Sequence, residues 1–238
     1  MINDQSQPVR FDGEAIRFRL RALLVHLYTA STSFLLALSA YYLLQKRLDI
    51  ALFTLLLTNI IDGTDGMLAR RWRVKDLVPE YDGRRMDDVI DYVAYVFLPV
   101  VFLLQADMLV SPVIFASLPL IASAFGFARV DVKLDEDGFF VGFPSYWNIV
   151  VAYLYILATP AWFNSLLIAL FAVLVFVPTR YIYITRFKQG RWLHFTGATV
   201  AGIALLLAVA SRGEMRSVLG LISLIYPVIY MVQSLRAN

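Results

Sequence analysis

Residues 50–71 read IALFTLLLTNIIDGTDGMLARR: no charge for twelve positions, then Asp62 and Asp65, then Arg70 and Arg71 at the close. A helix of about 20 apolar residues spans the roughly 30 Å hydrocarbon core of a bilayer, and this run is long enough. A carboxylate at the edge of such a helix is costly unless something neutralises it, so its default reading is a functional position. The pattern recurs at once. Asp87 and Asp91, in GRRMDDVIDYV, open the next apolar run.

Composition agrees with this local reading, because 60% of the 238 residues are hydrophobic and only 16% charged, far from the balance of a soluble domain. The chain reads as an all-α integral membrane protein with a single membrane domain. Apolar runs predict eight transmembrane helices near 22–44, 50–69, 88–106, 111–128, 145–161, 163–184, 195–211 and 216–234. Short loops rich in Lys and Arg stay in the cytoplasm. With both termini inside, 17 of the 21 basic residues fall on cytoplasmic segments and 4 outside, which puts both Asp clusters at the cytoplasmic face. The first apolar run is a full span preceded by Asp4, Asp12 and Glu14, a pattern unlike a cleavable signal peptide. Residues 10–21, RFDGEAIRFRLR, place Phe11, Ala15 and Phe18 at helical spacing among four Arg. That spacing predicts a short amphipathic helix on an anionic leaflet, with a frayed tail as the plainer alternative.

Residues three or four apart share a helix face. Asp62 and Asp65 therefore lie about 4.5 Å apart along the axis, and Asp87 and Asp91 about 6 Å apart. Two such pairs facing each other could cage two hard cations. The chain has no cysteine, and oxygen ligands favour Mg²⁺ or Mn²⁺ over zinc. A pair of such ions is a known clamp for phosphoryl oxygens. Gly63 and Gly66 lower helix propensity but leave backbone bare for a flat ligand.

Written as a pattern, Asp62-x-x-Asp65-Gly66-x-x-Ala69-Arg70, twelve residues, Gly83-x-x-x-Asp87-x-x-x-Asp91 resembles the signature of the CDP-alcohol phosphotransferases. These membrane enzymes move a phosphatidyl or related group from a CDP-activated donor to an alcohol. The signature covers residues 62–91. The gap between Arg70 and Gly83 is longer than in most members and is similar to that of the bacterial phosphatidylcholine synthases, as is the stretch GFFVGFPSYWNIVVAYLYIL at 138–157. The resemblance implies that Asp62, Asp65, Asp87 and Asp91 share the divalent metals and that Asp91 also serves as base. It implies a CDP pocket of Asp65, Gly66, Ala69, Arg70 and Gly83. It further implies CDP-diacylglycerol and choline as substrates, surrounding membrane lipids, a homodimer in the bacterial inner membrane, and no nucleic acid.

A quaternary ammonium has no N–H to donate, so choline recognition calls for aromatic faces. Phe139, Phe140, Phe143, Tyr146 and Trp147, beside Asn148, crowd the cytoplasmic end of the fifth predicted span, with Tyr92 next to Asp91. The plainer account is an interfacial aromatic belt. Arg129, Arg180 and Arg186 close cytoplasmic ends of spans and are candidates for lipid phosphate, although most such residues anchor helices at headgroups. The acidic stretch of Asp131, Asp135, Glu136 and Asp137 reads as a solvated turn, and His26 and His194 have no spacing that points to a metal. Within the enzyme class, serine, inositol and glycerol 3-phosphate compete as acceptors. Outside it, a transporter also carries intramembrane carboxylates, but near the midplane on broken helices.

Overall fold

Every backbone N–H and C=O inside lipid needs an internal partner, which restricts spanning segments to helices or closed barrels. The computed structural model, which describes residues 13–129, 133–134, 138–184, 187 and 190–236, follows that rule with a bundle of helices. The chain begins with an antiparallel hairpin of α1 (Gly13–Leu44) and α2 (Leu48–Arg71), turned through Lys46 at φ 59°. Small polar residues draw the two together. Ser39 Oγ donates to the Ala51 carbonyl at 2.9 Å, and the Tyr28 hydroxyl meets Thr64 Oγ1 at 2.8 Å.

At 32 residues, α1 is about 48 Å long and outruns the hydrocarbon core. Residues 13–21 are its first turns, continuous with the span and not a separate helix, while residues 10–12 lie outside the described residues. There Arg19 pairs with Glu80. A short helix, α3 (Val74–Leu77), carries the chain across the end of the hairpin to α4 (Gly83–Tyr92). Asp82 caps α4 by accepting from the Arg84 and Arg85 amides at 3.1 and 3.3 Å. A wide π-helical turn, Val93–Phe97, joins α4 to α5 (Leu98–Gln105), making one bent helix.

The rest comprises α6 (Pro112–Ala128), α7 (Trp147–Ile156), α8 (Ala161–Phe176) and the hairpin of α9 (Arg191–Ala210) and α10 (Glu214–Arg236). Among the described residues, four helical segments are long and apolar enough to cross a bilayer: Ile16–Leu44, Leu48–Arg71, Trp192–Ala210 and Glu214–Arg236. The other four predicted spans correspond to the bent α4–α5 helix and to the shorter α6, α7 and α8. The largest departure from expectation is at 145–161, where α7 has ten residues and a length of about 15 Å. Pro144 and Pro160 flank it, and Ala158 turns at φ 51°. Likewise, the predicted span at 163–184 ends as helix at Phe176 and continues into a strand.

That strand belongs to a small antiparallel sheet absent from the sequence-based expectation: β1 (Lys133–Leu134), β2 (Phe139–Val141) and β3 (Arg180–Ile182), in that order. Ser234 Oγ on α10 accepts the Ile182 amide at 3.1 Å, tying the sheet to the last helix. Gly142, at φ 81°, lets the chain pass so close to α8 that a Cβ would lie 2.4 Å from the Val175 carbonyl oxygen. The central core gathers Leu52, Leu55, Phe102, Phe143, Trp147 and Ile168. Outward-facing residues such as Leu27, Phe34, Val113 and Leu166 stay bare, as expected where lipid is the solvent.

Candidate metal and substrate site

The hairpin of α1 and α2 and the bent α4 helix bring the two acidic pairs together. Oxygen atoms of Asp62, Asp87 and Asp91 lie within 4.8 Å of one another, each residue half-buried. Asp65, one turn beyond Asp62 on α2, is 7% exposed, and its Oδ2 accepts a hydrogen bond from Thr29 Oγ1 on α1 at 2.8 Å. A buried carboxylate without a partner would be strongly disfavoured, so Thr29 braces Asp65 from behind. Asp62, Asp65 and Asp87 line a small cleft with Gly66, Arg70 and Tyr183. The donor set is oxygen only and highly anionic, and hard divalent cations fit it.

Along α2 towards its C-terminus, Arg70 lies across Gly66: a Cβ there would sit 3.3 Å from the guanidinium Nη1. A Cβ on Gly63 would meet nothing within 4 Å, so backbone is open beside the carboxylates. Ala69 points elsewhere, packing with Leu68 and Leu77 against Ala22, Val25, Val74 and Val78. Gly83 starts α4 under the ring of His26, whose Cε1 would be 3.0 Å from an added Cβ. His26 also stands edge-on to Tyr81, with centroids 6.0 Å apart. Close packing against His26 is thus one reason for glycine at the head of the helix that carries Asp87 and Asp91.

The aromatic residues divide sharply. Trp147 has no exposed surface; its Nε1 donates to Ser123 Oγ at 2.8 Å and its ring stands edge-on to Phe143. Asn148, equally buried, donates from Nδ2 to Asn59 Oδ1 at 3.2 Å and accepts the Ile149 amide. Tyr92 turns towards α6, its hydroxyl donating to the Leu120 carbonyl at 3.1 Å and its ring edge-on to Phe127. Phe139 packs on Phe187. Phe140 packs at 4.4 Å on Tyr183, one ring behind the cleft. Of the expected aromatics, Tyr146 adjoins the acidic cluster most directly. It meets Tyr95, which follows Asp91 by four residues, edge-to-face at 6.4 Å.

Thr29, Tyr95 and Tyr183 are not singled out by the sequence. Only Tyr95 carries a local signal, since it follows Asp91 by four residues and falls on the same helical face. Arg129 caps the C-terminus of α6, half-buried, and Arg180 opens β3, exposed. Arg186 and the acidic residues Asp131, Asp135, Glu136 and Asp137 lie outside the described residues.

No protein-family model matches the chain. Among curated proteins it is similar to the phosphatidylcholine synthase of Legionella pneumophila, at 41% identity over 171 residues, which make up 69% of this chain and 66% of that protein. The chain thus spans just under two thirds of that relative's length. It is similar also to the phosphatidylcholine synthase of Rhizobium meliloti, at 35% identity over 224 residues, covering 87% of this chain and 92% of that one. A third relative, from Pseudomonas aeruginosa, shares 34% identity over 83% of this chain and 84% of its own length. All eight signature positions stand in order between Asp62 and Asp91, and relatives bearing one name match over most of both chains. The chain belongs to the phosphatidylcholine synthase family.

Proposed function

We propose that this protein makes phosphatidylcholine by transferring the phosphatidyl group of CDP-diacylglycerol to choline, with release of CMP. The observation that carries the reading is the convergence of Asp62, Asp87 and Asp91 from two helices onto one point, in a chain of this family. Asp62, Asp65, Asp87 and Asp91 would hold a pair of Mg²⁺ or Mn²⁺ ions. Bound there, such cations would invert the local field, admit the donor's diphosphate and offset charge on the departing phosphate.

The protein's own groups do the rest. Asp91, in the last turn of α4, takes the proton of the choline hydroxyl as that oxygen bonds to the phosphorus bearing diacylglycerol. The bond from this phosphorus to the bridging oxygen breaks, and the electron pair leaves with CMP. Arg70, lying across Gly66, engages the nucleotide phosphates. Open backbone at Gly63 and Gly66 lets the cytidine approach, and Gly83 fixes the start of α4. Ala69 seats α2 on α1, and Arg129 and Arg180 meet lipid phosphate. Positioning and electrostatics supply most of the rate in phosphoryl transfer. The cleft sits at the end of α2 that carries Arg70 and Arg71, and basic residues favour the cytoplasmic side. We therefore place the site at the cytoplasmic face of the bacterial inner membrane, in an eight-span homodimer with both termini inside.

The test is CMP release by the purified protein with CDP-diacylglycerol and Mn²⁺, offering choline, serine, inositol and glycerol 3-phosphate separately. Release with choline alone supports the proposal. Release with another alcohol keeps the carboxylate chemistry and discards the acceptor, while no release with any of them sinks the reading.

A further inference from the structure

We infer that Tyr95, Tyr146 and Tyr183 form the wall that receives the acceptor's quaternary ammonium, in place of Trp147 and the flanking phenylalanines. The inference rests on the choline reading above. Choline carries its cation on a two-carbon arm from the hydroxyl that Asp91 deprotonates, so a ring that holds the cation must stand close to Asp91. Tyr95 meets that condition because it follows Asp91 by four residues on the bent helix, and Tyr146 packs on Tyr95 with ring centroids 6.4 Å apart. Tyr183 lines the same cleft as Asp62 and Asp87.

Each ring is held in place. Tyr95 is buried in the core, with the Tyr146 ring nearly perpendicular to it at 87°. Phe140 supports Tyr183 from behind. Tyr146 and Tyr183 are half-buried, leaving ring surface for a ligand. Trp147 offers none, and the Tyr92 hydroxyl is committed to α6. Aromatic faces next to carboxylates suit a cation that cannot donate hydrogen bonds. Serine or inositol would leave the same rings without a cation of that kind.

The test uses the full-length enzyme and follows CMP release. Tyr146→Leu and Tyr183→Leu should each raise the KM for choline about two- to thirtyfold, the loss expected for one cation–π contact. The KM for CDP-diacylglycerol should rise less than the choline KM in both variants, and in Tyr146→Leu it should stay within about twofold, since Tyr146 does not line the cleft that takes the nucleotide. Tyr146→Phe keeps the ring and should leave the choline KM near that of the wild type. Tetramethylammonium, which has the cation and no hydroxyl, should inhibit the wild type competitively against choline, a measurement independent of whether the variants fold. Equal rises in both KM values, unchanged choline KM in both leucine variants, or no competition by tetramethylammonium would overturn the assignment. A wild type that releases CMP with another alcohol and not with choline would instead refute the acceptor reading on which it rests.

Discussion

Thr29 stands 36 residues before Asp65, yet its hydroxyl donates to that carboxylate inside the α1–α2 hairpin. Thr29→Val keeps the shape and removes the donor, losing one hydrogen bond to a buried carboxylate, worth about 1.5–3 kcal/mol. The variant should unfold at a lower temperature in detergent, whereas Thr29→Ser should stay near the wild type; a Thr29→Val protein as stable as the wild type would remove Thr29 from the bracing role. Asp91→Asn should abolish transfer while CMP still binds, because a base acts on the acceptor and the amide keeps the shape. Loss of CMP binding together with transfer would leave Asp91 its place among the metal-holding carboxylates and remove its role as base. The four aspartates are legible in the sequence because each is a charge beside an apolar run, and helical spacing alone pairs them. Thr29 and Tyr183 are not, because a hydroxyl or a phenol in a membrane segment reads the same whether it faces lipid, core or site. Trp147 shows the converse: aromatic identity and position serve equally for a belt, a cage or a core, and here the ring is in the core.

At the level of the element, the π-helical turn Val93–Phe97 fixes how Asp87 and Asp91 are aimed. Such a turn accommodates an additional residue within a helix and is frequent at functional sites. Ala94, Tyr95 and Val96 of the turn are buried, whereas Phe97 is 48% exposed, so removing Phe97 disturbs the core least. Its deletion should close the turn to regular α-helix and rotate α4 by about 100° against α5. Asp87 and Asp91 would then leave Asp62. The expected result is a monodisperse protein in detergent with no CMP release; retained activity would mean that the wide turn does not set the aim of the acidic pair. Nothing in VAYVF foretells the turn, because its residues suit an ordinary span. The same blindness explains α7: no charge interrupts 145–161, and hydropathy does not register where backbone hydrogen bonding stops. Strands of two and three residues, as in β1–β3, are too short for any periodicity to appear.

For the molecule as a whole, the structure separates two ends along α2. Asp49 lies at one end, hydrogen-bonded by Arg216 at 2.9 Å, and the acidic cleft lies at the other. Asp49 and Asp65 are sixteen residues apart on this helix, or about 24 Å at 1.5 Å per residue. That distance approaches the thickness of the hydrocarbon core, so in the proposed eight-span arrangement the two ends face opposite membrane surfaces. In that arrangement 17 of the 21 Lys and Arg fall on the cleft side, which predicts a cytoplasmic cleft. Membrane insertion keeps such loops in the cytoplasm. The absence of cysteine makes the orientation directly measurable, because any thiol introduced is the only one present. Lys75→Cys, exposed on α3 beside the cleft, and Glu214→Cys, exposed at the start of α10, report the two ends. In intact spheroplasts a membrane-impermeant maleimide should label the cysteine at position 214 and spare that at 75, which should react only after lysis. The reverse pattern would invert the molecule and put the acidic cleft on the side away from the nucleotide pool. Labelling of both in intact spheroplasts would deny that α2 connects opposite surfaces, and with it the eight-span arrangement.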